Sequence, residues 1–132
     1  RFRRMLGLFA FFYASLHFTT YFWLDQFFDW MGIAKDIVKR PFITVGFAAF
    51  VLLLPLAATS TNAMVRRLGA KRWQILHRLV YAIAVLGVLH FWWLVKKDIR
   101  EPLIFALLLA VALGARWFFL RRPVATRRVC AM

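Results

Sequence analysis

The chain has 132 residues, of which 64% are hydrophobic and 18% aromatic. Soluble domains are about 45–50% apolar and about 25% charged, so this composition excludes an ordinary soluble domain. In a polar chain the net charge of +14 would indicate nucleic acid, but here the basic residues form short clusters between long apolar segments, which is typical of membrane flanks. The single cysteine, Cys130, excludes a disulfide within the chain and a cysteine-based metal site.

Four segments are long and apolar enough to cross a membrane, which takes about 20 mostly apolar residues. They span residues 5–24, 42–58, 73–95 and 102–120. Pro41 precedes the second span, and Pro55 is expected to kink it near its end. The alternation of period two that a membrane β-barrel requires is not seen. The sequence therefore predicts an all-α fold, an integral membrane helical bundle with four transmembrane helices.

The charges predict the orientation of this bundle through the positive-inside rule. Basic clusters without acids precede the first span, separate the second from the third and follow the fourth: Arg1, Arg3, Arg4, Arg66, Arg67, Lys71, Arg72, Arg121, Arg122, Arg127 and Arg128. The opposite loops hold all five acidic residues together with six basic ones. Both termini of this chain are therefore predicted to be cytoplasmic.

The connection from Asp25 to Arg40 is the longest loop on the opposite side. Phe27, Phe28 and Trp30 make it an interfacial segment in the lipid headgroup region, rather than one that is freely solvated. Docking of a partner is the alternative interpretation.

All three histidines lie inside predicted spans, where an ionisable residue is costly and a functional role is the first hypothesis. At 1.5 Å per residue, His17 lies about 20 Å beyond Arg4, and His90 about 25 Å beyond Trp73. These two histidines therefore share a depth on different helices. His77 lies near the cytoplasmic face.

Two histidines at one depth on facing helices are what six-coordinate haem iron requires, one imidazole nitrogen from each side. The 13 residues between His77 and His90 also suit two haems stacked across a membrane, although on an ideal helix the two side chains lie about 140° apart. With no further histidine in the chain, a partner for His77 must come from missing sequence, another residue type or another subunit. Hydrogen bonds between helices, or an interfacial position for His77, are the ordinary alternatives.

Haem propionates need cationic partners. Arg72 and Arg78 near His77, or Lys96 and Lys97 near His90, have suitable charge and depth. Each of these residues could equally be an ordinary flanking charge that contacts membrane lipid.

Several motifs resemble the MsrQ family, formerly YedZ, of haem-binding membrane subunits related to ferric reductase-like transmembrane domains. The resemblance rests on Thr59–Met64, Leu68–Gln74, Leu76-His77, Val80-Tyr81, His90–Trp92, Arg3–Gly7 and Ser15–His17. It covers nearly the whole chain and implies one such domain over residues 1–132. His17, His77 and His90 match the family's haem-ligand histidines. Family members usually have earlier spans, so the chain is interpreted as N-terminally incomplete.

The resemblance implies an electron carrier of the bacterial inner membrane. It would use b-type haem and FMN, take electrons from the quinone pool or a flavin reductase, and pass them to MsrP, the periplasmic molybdopterin enzyme that reduces methionine sulfoxide in oxidised proteins. The cofactor would then supply the redox chemistry, with no catalytic residue from the chain.

Two alternatives to this function remain open from the sequence. A ferric reductase-like cytochrome shares the haem helices and would need a separate cytosolic reductase. A small transporter or assembly subunit would use its histidines for interhelical hydrogen bonds, but transport predicts acidic residues at mid-membrane, whereas all five acids fall in the predicted outer loops.

Overall fold

The computed structural model describes residues 2–95 and 98–121, and every regular element in that part of the chain is helical. The elements are α1 (Phe2–Thr20), a π-helical turn (Tyr21–Asp25), α2 (Trp30–Lys39), α3 (Pro41–Ala58), α4 (Asn62–Leu68), α5 (Ala70–His77), α6 (Leu79–Leu94) and α7 (Arg100–Arg121). The all-α prediction is confirmed.

Local sequence explains where several helices begin and end. The Asp29 side chain caps α2 by accepting a hydrogen bond from the Met31 amide, and Thr61 caps α4 in the same way through the Met64 amide. Pro41 occupies the first turn of α3, where a missing N–H costs nothing. Gly69 separates α4 from α5 with a φ of 77°, in a region that favours glycine.

Four helical segments are long and apolar enough to cross a membrane: Phe2–Asp25, Pro41–Ala58, Ala70–Leu94 and Arg100–Phe119. They correspond to the four predicted spans, and large apolar side chains on α1 and α7 are exposed, as lipid contact requires. The chain is therefore a multi-pass membrane protein. Two details differ from the predictions: the long loop contains the helix α2, and the third span consists of α5 and α6, separated by a turn at Arg78.

Helices α3 and α6 form the centre of the bundle, where Ala49, Leu56 and Ile83 are buried together. On one side α1 packs against α3, with Phe18 stacked on Phe50 at 4.9 Å between ring centroids. On the other side α7 packs against α6.

The bundle has two chemically different ends. One end holds the start of α1, the end of α3 and the start of α5, and there Arg4 donates a hydrogen bond to Asn62 Oδ1 (2.5 Å). We call it the basic end, because Arg3, Arg4, Arg66, Arg67, Lys71 and Arg72 lie there. The acidic end holds the end of α1, α2, the start of α3 and the end of α6. Asp25, Asp29 and Asp36 lie on its connecting segments.

Candidate functional site

His17 and His90 meet at the acidic end of the bundle. Their ring centroids are 6.3 Å apart, and the two ring planes make an angle of 72°. His17 lies one turn before the end of α1, and His90 one turn before the end of α6. Both helices run from the basic end to the acidic end, antiparallel to α3, so two histidines far apart in sequence reach the same level.

A backbone carbonyl of α3 orients the ring of His90. Its Nδ1 lies 2.7 Å from the carbonyl oxygen of Phe42. A carbonyl can only accept, so Nδ1 carries the hydrogen and donates it. This tautomer leaves the Nε2 lone pair of His90 free, which is the arrangement that second-shell hydrogen bonds impose on metal-binding histidines.

Gly46 makes room for this contact. A Cβ added at Gly46 would lie 2.7 Å from both Cε1 and Nδ1 of His90, a distance at which something must move. Gly46 is one helical turn after Phe42, on the same face of α3. The missing side chain therefore lets the imidazole lie against the helix backbone and reach the Phe42 carbonyl.

The two histidines line a cavity of about 770 Å³ between α1, α2, α3 and α6. Most of its lining is apolar. The large aromatic and aliphatic side chains are those of Phe18, Phe42, Phe47, Phe50, Ile33, Ile37, Ile43, Leu53, Ile83 and Leu94. Its polar lining residues besides the histidines include Tyr21, Asp25, Gln26, Asp36 and Arg40, which we call the cavity mouth.

The site fits a haem iron better than a bare metal ion. Imidazole–metal bonds are about 2.0–2.1 Å long, so two imidazoles on opposite sides of one ion have ring centres about 6 Å apart, close to the observed 6.3 Å. Among the described residues no group of three or more His, Cys, Asp or Glu side chains could hold a metal ion. Haem would supply the remaining ligands through its macrocycle, so two histidines suffice for it.

His77 lies at the basic end, away from the other two histidines and outside the cavity lining. Its ring stacks on Trp73, with 3.8 Å between centroids and 23° between planes. Its Nε2 is 3.1 Å from the hydroxyl of Thr59, which itself donates to the carbonyl of Pro55 at 2.6 Å. The hydroxyl hydrogen is thus engaged, so Thr59 accepts from His77 Nε2–H.

Replacing Thr59 with valine is expected to destabilise the basic end without affecting the His17–His90 pair. The change removes a buried acceptor and leaves His77 Nε2–H without its partner, which costs about 1–3 kcal/mol. Thermal unfolding in detergent measures this cost. Thr19→Val is the matched control, because the exposed Thr19 hydroxyl bonds only the Ser15 carbonyl of its own helix. Equal melting temperatures for the two variants would contradict the assignment.

The carboxylate of Asp36 is the centre of the cavity mouth. Its Oδ2 accepts from Gln26 Nε2 at 2.9 Å and from the Tyr21 hydroxyl at 3.5 Å, while its Oδ1 lies 3.3 Å from Arg40 Nε. The π-helical turn brings Tyr21 and Gln26 to this position.

Sequence reasoning missed both the cavity mouth and the Gly46 contact. From the sequence Arg40 is only one of the basic residues of the predicted loop, although Asp36, four residues before it, indicates a possible pairing on a helix. Arg72 and Arg78, the possible propionate partners near His77, do not line the His17–His90 cavity. Lys96 and Lys97 lie outside the described residues, as do Arg122, Arg127, Arg128 and Cys130.

The family model and the similar curated proteins point to the same family of membrane proteins. Residues 1–88 match the model of the ferric reductase like transmembrane component. The chain is 66% identical over 121 residues to the protein-methionine-sulfoxide reductase heme-binding subunit MsrQ of Herminiimonas arsenicoxydans, covering 90% of the chain and 56% of the relative. The proteins of the same name from Rhodospirillum rubrum and Ralstonia nicotianae are 65% and 60% identical, with 86% and 92% of the chain and 55% and 57% of the relatives covered.

The chain spans about half the length of the curated relatives that it matches. No solved structure matches it. The resemblance to the MsrQ family that the motifs indicated is confirmed by these relatives.

Proposed function

Because the chain belongs to the ferric reductase-like transmembrane family, in its MsrQ group, we propose that it is the haem-carrying membrane part of a methionine sulfoxide reductase system. In this role it moves electrons through the membrane to the enzyme that reduces methionine sulfoxide. The whole protein's activity and partners are part of this proposal.

The proposal rests on the pairing of His17 and His90 beside an apolar cavity. With 6.3 Å between their ring centroids the two imidazoles would be able to hold one iron between them, and the hydrogen bond to the Phe42 carbonyl would leave His90 Nε2 free to bind it. The ring of His17 forms no hydrogen bond with other residues in the described part of the chain, so it too has a nitrogen available. Both histidines are proposed as haem-iron ligands, and His77 as a ligand only if a partner outside the described residues completes its site.

A b-type haem bound here supplies one-electron redox chemistry by cycling between ferric and ferrous iron. The chain's own residues do the rest. His17 and His90 would hold the iron, Phe18, Phe47 and Phe50 line the apolar wall of the cavity, and no side chain is proposed as an acid, base or nucleophile. A protein controls the reactivity of a bound cofactor through its ligands, its position and the polarity of its surroundings.

The charge distribution supports an orientation for this transfer. The basic end carries clustered arginines and lysines without acids, so by the positive-inside rule it faces the cytoplasm, and both termini of this chain lie there. The His17–His90 site is then near the periplasmic face of the inner membrane, where MsrP collects the electrons. The quinone pool or a flavin reductase donates them, and FMN is included on the family resemblance alone.

A dithionite-reduced minus oxidised spectrum of membranes that contain the chain tests the cofactor. We expect the bands of bis-imidazole b-type haem, and a pyridine haemochrome assay gives the number of haems per chain. A ratio above one would assign a second haem to His77. A blank spectrum from correctly inserted protein would mean either that the earlier spans of the family are essential for haem binding or that the transporter or assembly alternative is favoured.

Electron delivery is tested with the complete protein in inner-membrane vesicles. We expect quinol or a flavin reductase to reduce the haem, and oxidised MsrP to reoxidise it rapidly. Cytosolic nicotinamide-dependent reduction with no reoxidation by MsrP would instead favour the ferric reductase-like alternative.

A further inference from the structure

Arg40 is the only lysine or arginine among the described residues that line the His17–His90 cavity. It caps the start of α3, two residues before Phe42, whose carbonyl orients His90. The same short segment therefore holds a cation at the cavity mouth and fixes the imidazole deeper inside. At 1.5 Å of rise per residue the two positions are separated by only about 3 Å along the helix.

Asp36 positions this cation without using all of its donors. The Arg40 Nε lies 3.3 Å from Asp36 Oδ1, while Asp36 Oδ2 is already bonded by Gln26 and Tyr21. A guanidinium has five N–H donors in a rigid plane. The side chain of Arg40 is 58% exposed and that of Asp36 20%, so an anion can approach the guanidinium from the mouth.

The charges and the lining of the cavity determine where an acidic ligand must place its carboxylates. The inner walls are apolar, and burying an unpaired carboxylate there is costly. The mouth contains two carboxylates, those of Asp25 and Asp36, and one cation, the guanidinium of Arg40. A ligand with its own carboxylates is therefore repelled there except where Arg40 pairs with it.

We propose that Arg40 binds a propionate carboxylate of the haem held by His17 and His90, and that Asp36 holds Arg40 in position for it. The inference rests on the proposed function and deepens it. Arginine suits this role because its planar fork matches a carboxylate in a bidentate pair. Because reduction adds a negative charge to the haem, the cation stabilises the ferrous form and raises the reduction potential.

The test compares haemin with haemin dimethyl ester, which lacks the propionate charges, on the chain freed of haem. Wild-type protein is expected to bind haemin about 10- to 100-fold more tightly than the ester, the range for a charge-assisted hydrogen bond. Arg40→Gln should lose that preference and show a lower reduction potential, and Arg40→Lys should retain part of it. Lys39→Gln is the matched control, since Lys39 is adjacent and exposed but does not line the cavity.

The outcomes distinguish a failure of the role proposed for Arg40 from a failure of the proposed haem-binding function. If wild-type protein and the His90→Ala variant bind haemin equally poorly, the proposed function fails and the inference fails with it. If haem binding needs His90 but Arg40→Gln keeps the wild-type preference for haemin and the wild-type potential, only the role of Arg40 is overturned. If Lys39→Gln matches Arg40→Gln, a general surface-charge effect replaces it.

Discussion

His90→Ala is expected to abolish the bis-imidazole haem spectrum of the chain. The substitution removes one of the two proposed haem-iron ligands, the imidazole that the Phe42 carbonyl orients. Changes to residues that only support a metal ligand cost about 10- to 100-fold in affinity, so the loss of a ligand itself should exceed about 100-fold. Haem per chain, measured by pyridine haemochrome on protein from isolated membranes, gives the result directly.

His17→Ala should produce the same loss, since its ring lies beside that of His90 and it is the other proposed ligand. His77→Ala is the informative control, because His77 lies at the basic end and contacts Thr59 and Trp73. It should spare the His17–His90 haem. Retention of a full haem complement by either His17→Ala or His90→Ala would refute the pairing. Loss of all haem in His77→Ala would indicate a single shared site or a globally unfolded bundle.

Gly46→Ala is expected to weaken haem binding although residue 46 cannot ligate iron. The added Cβ would lie 2.7 Å from two atoms of the His90 ring, so the imidazole must leave the Phe42 carbonyl or the helices must separate. Overpacking of this kind costs about 1–3 kcal/mol. We expect haem affinity to fall about tenfold or more. The axial-ligand signals in the electron paramagnetic resonance spectrum should shift as the ring reorients.

Gly114→Ala provides the matched control for this prediction. Gly114 also lies within a membrane-spanning helix, but an added Cβ would meet no atom within 4 Å. This variant should keep wild-type haem content and spectrum, and its helix should be slightly favoured. An unchanged spectrum in Gly46→Ala, or equal losses in the two variants, would show that the ring of His90 is not fixed by its contact with α3.

The sequence was sufficient for the broad architecture because length and hydropathy identify membrane-spanning helices. Pro41–Ala58 and Arg100–Phe119 are continuous apolar segments, and in lipid such a segment satisfies its backbone hydrogen bonds by forming a helix. The depth argument for His17 and His90 also worked, since the rise of a helix is constant. The asymmetric distribution of acidic and basic residues identified the two ends of the bundle in the same way.

The sequence does not predict α2, which lies within the segment expected to be a loop. The segment is short, and its helix depends on the Asp29 cap and on burial of Ile33 against the bundle. Likewise the turn at Arg78, which divides the third span, is not marked by any proline or glycine. Such features depend on tertiary packing, which overrides local preference.

By itself, then, the sequence determined that this protein is a bundle of membrane helices with histidines at two depths, and its motifs indicated the family. Only the tertiary structure decided that His17 meets His90 while His77 bonds Thr59, that Gly46 and the Phe42 carbonyl set the orientation of His90, and that Arg40 stands at the mouth of the same cavity. The physical reason is that hydropathy and helical rise fix the depth of a residue in the membrane. The side chains that it contacts depend on which helix packs against its face, and only the tertiary structure shows that.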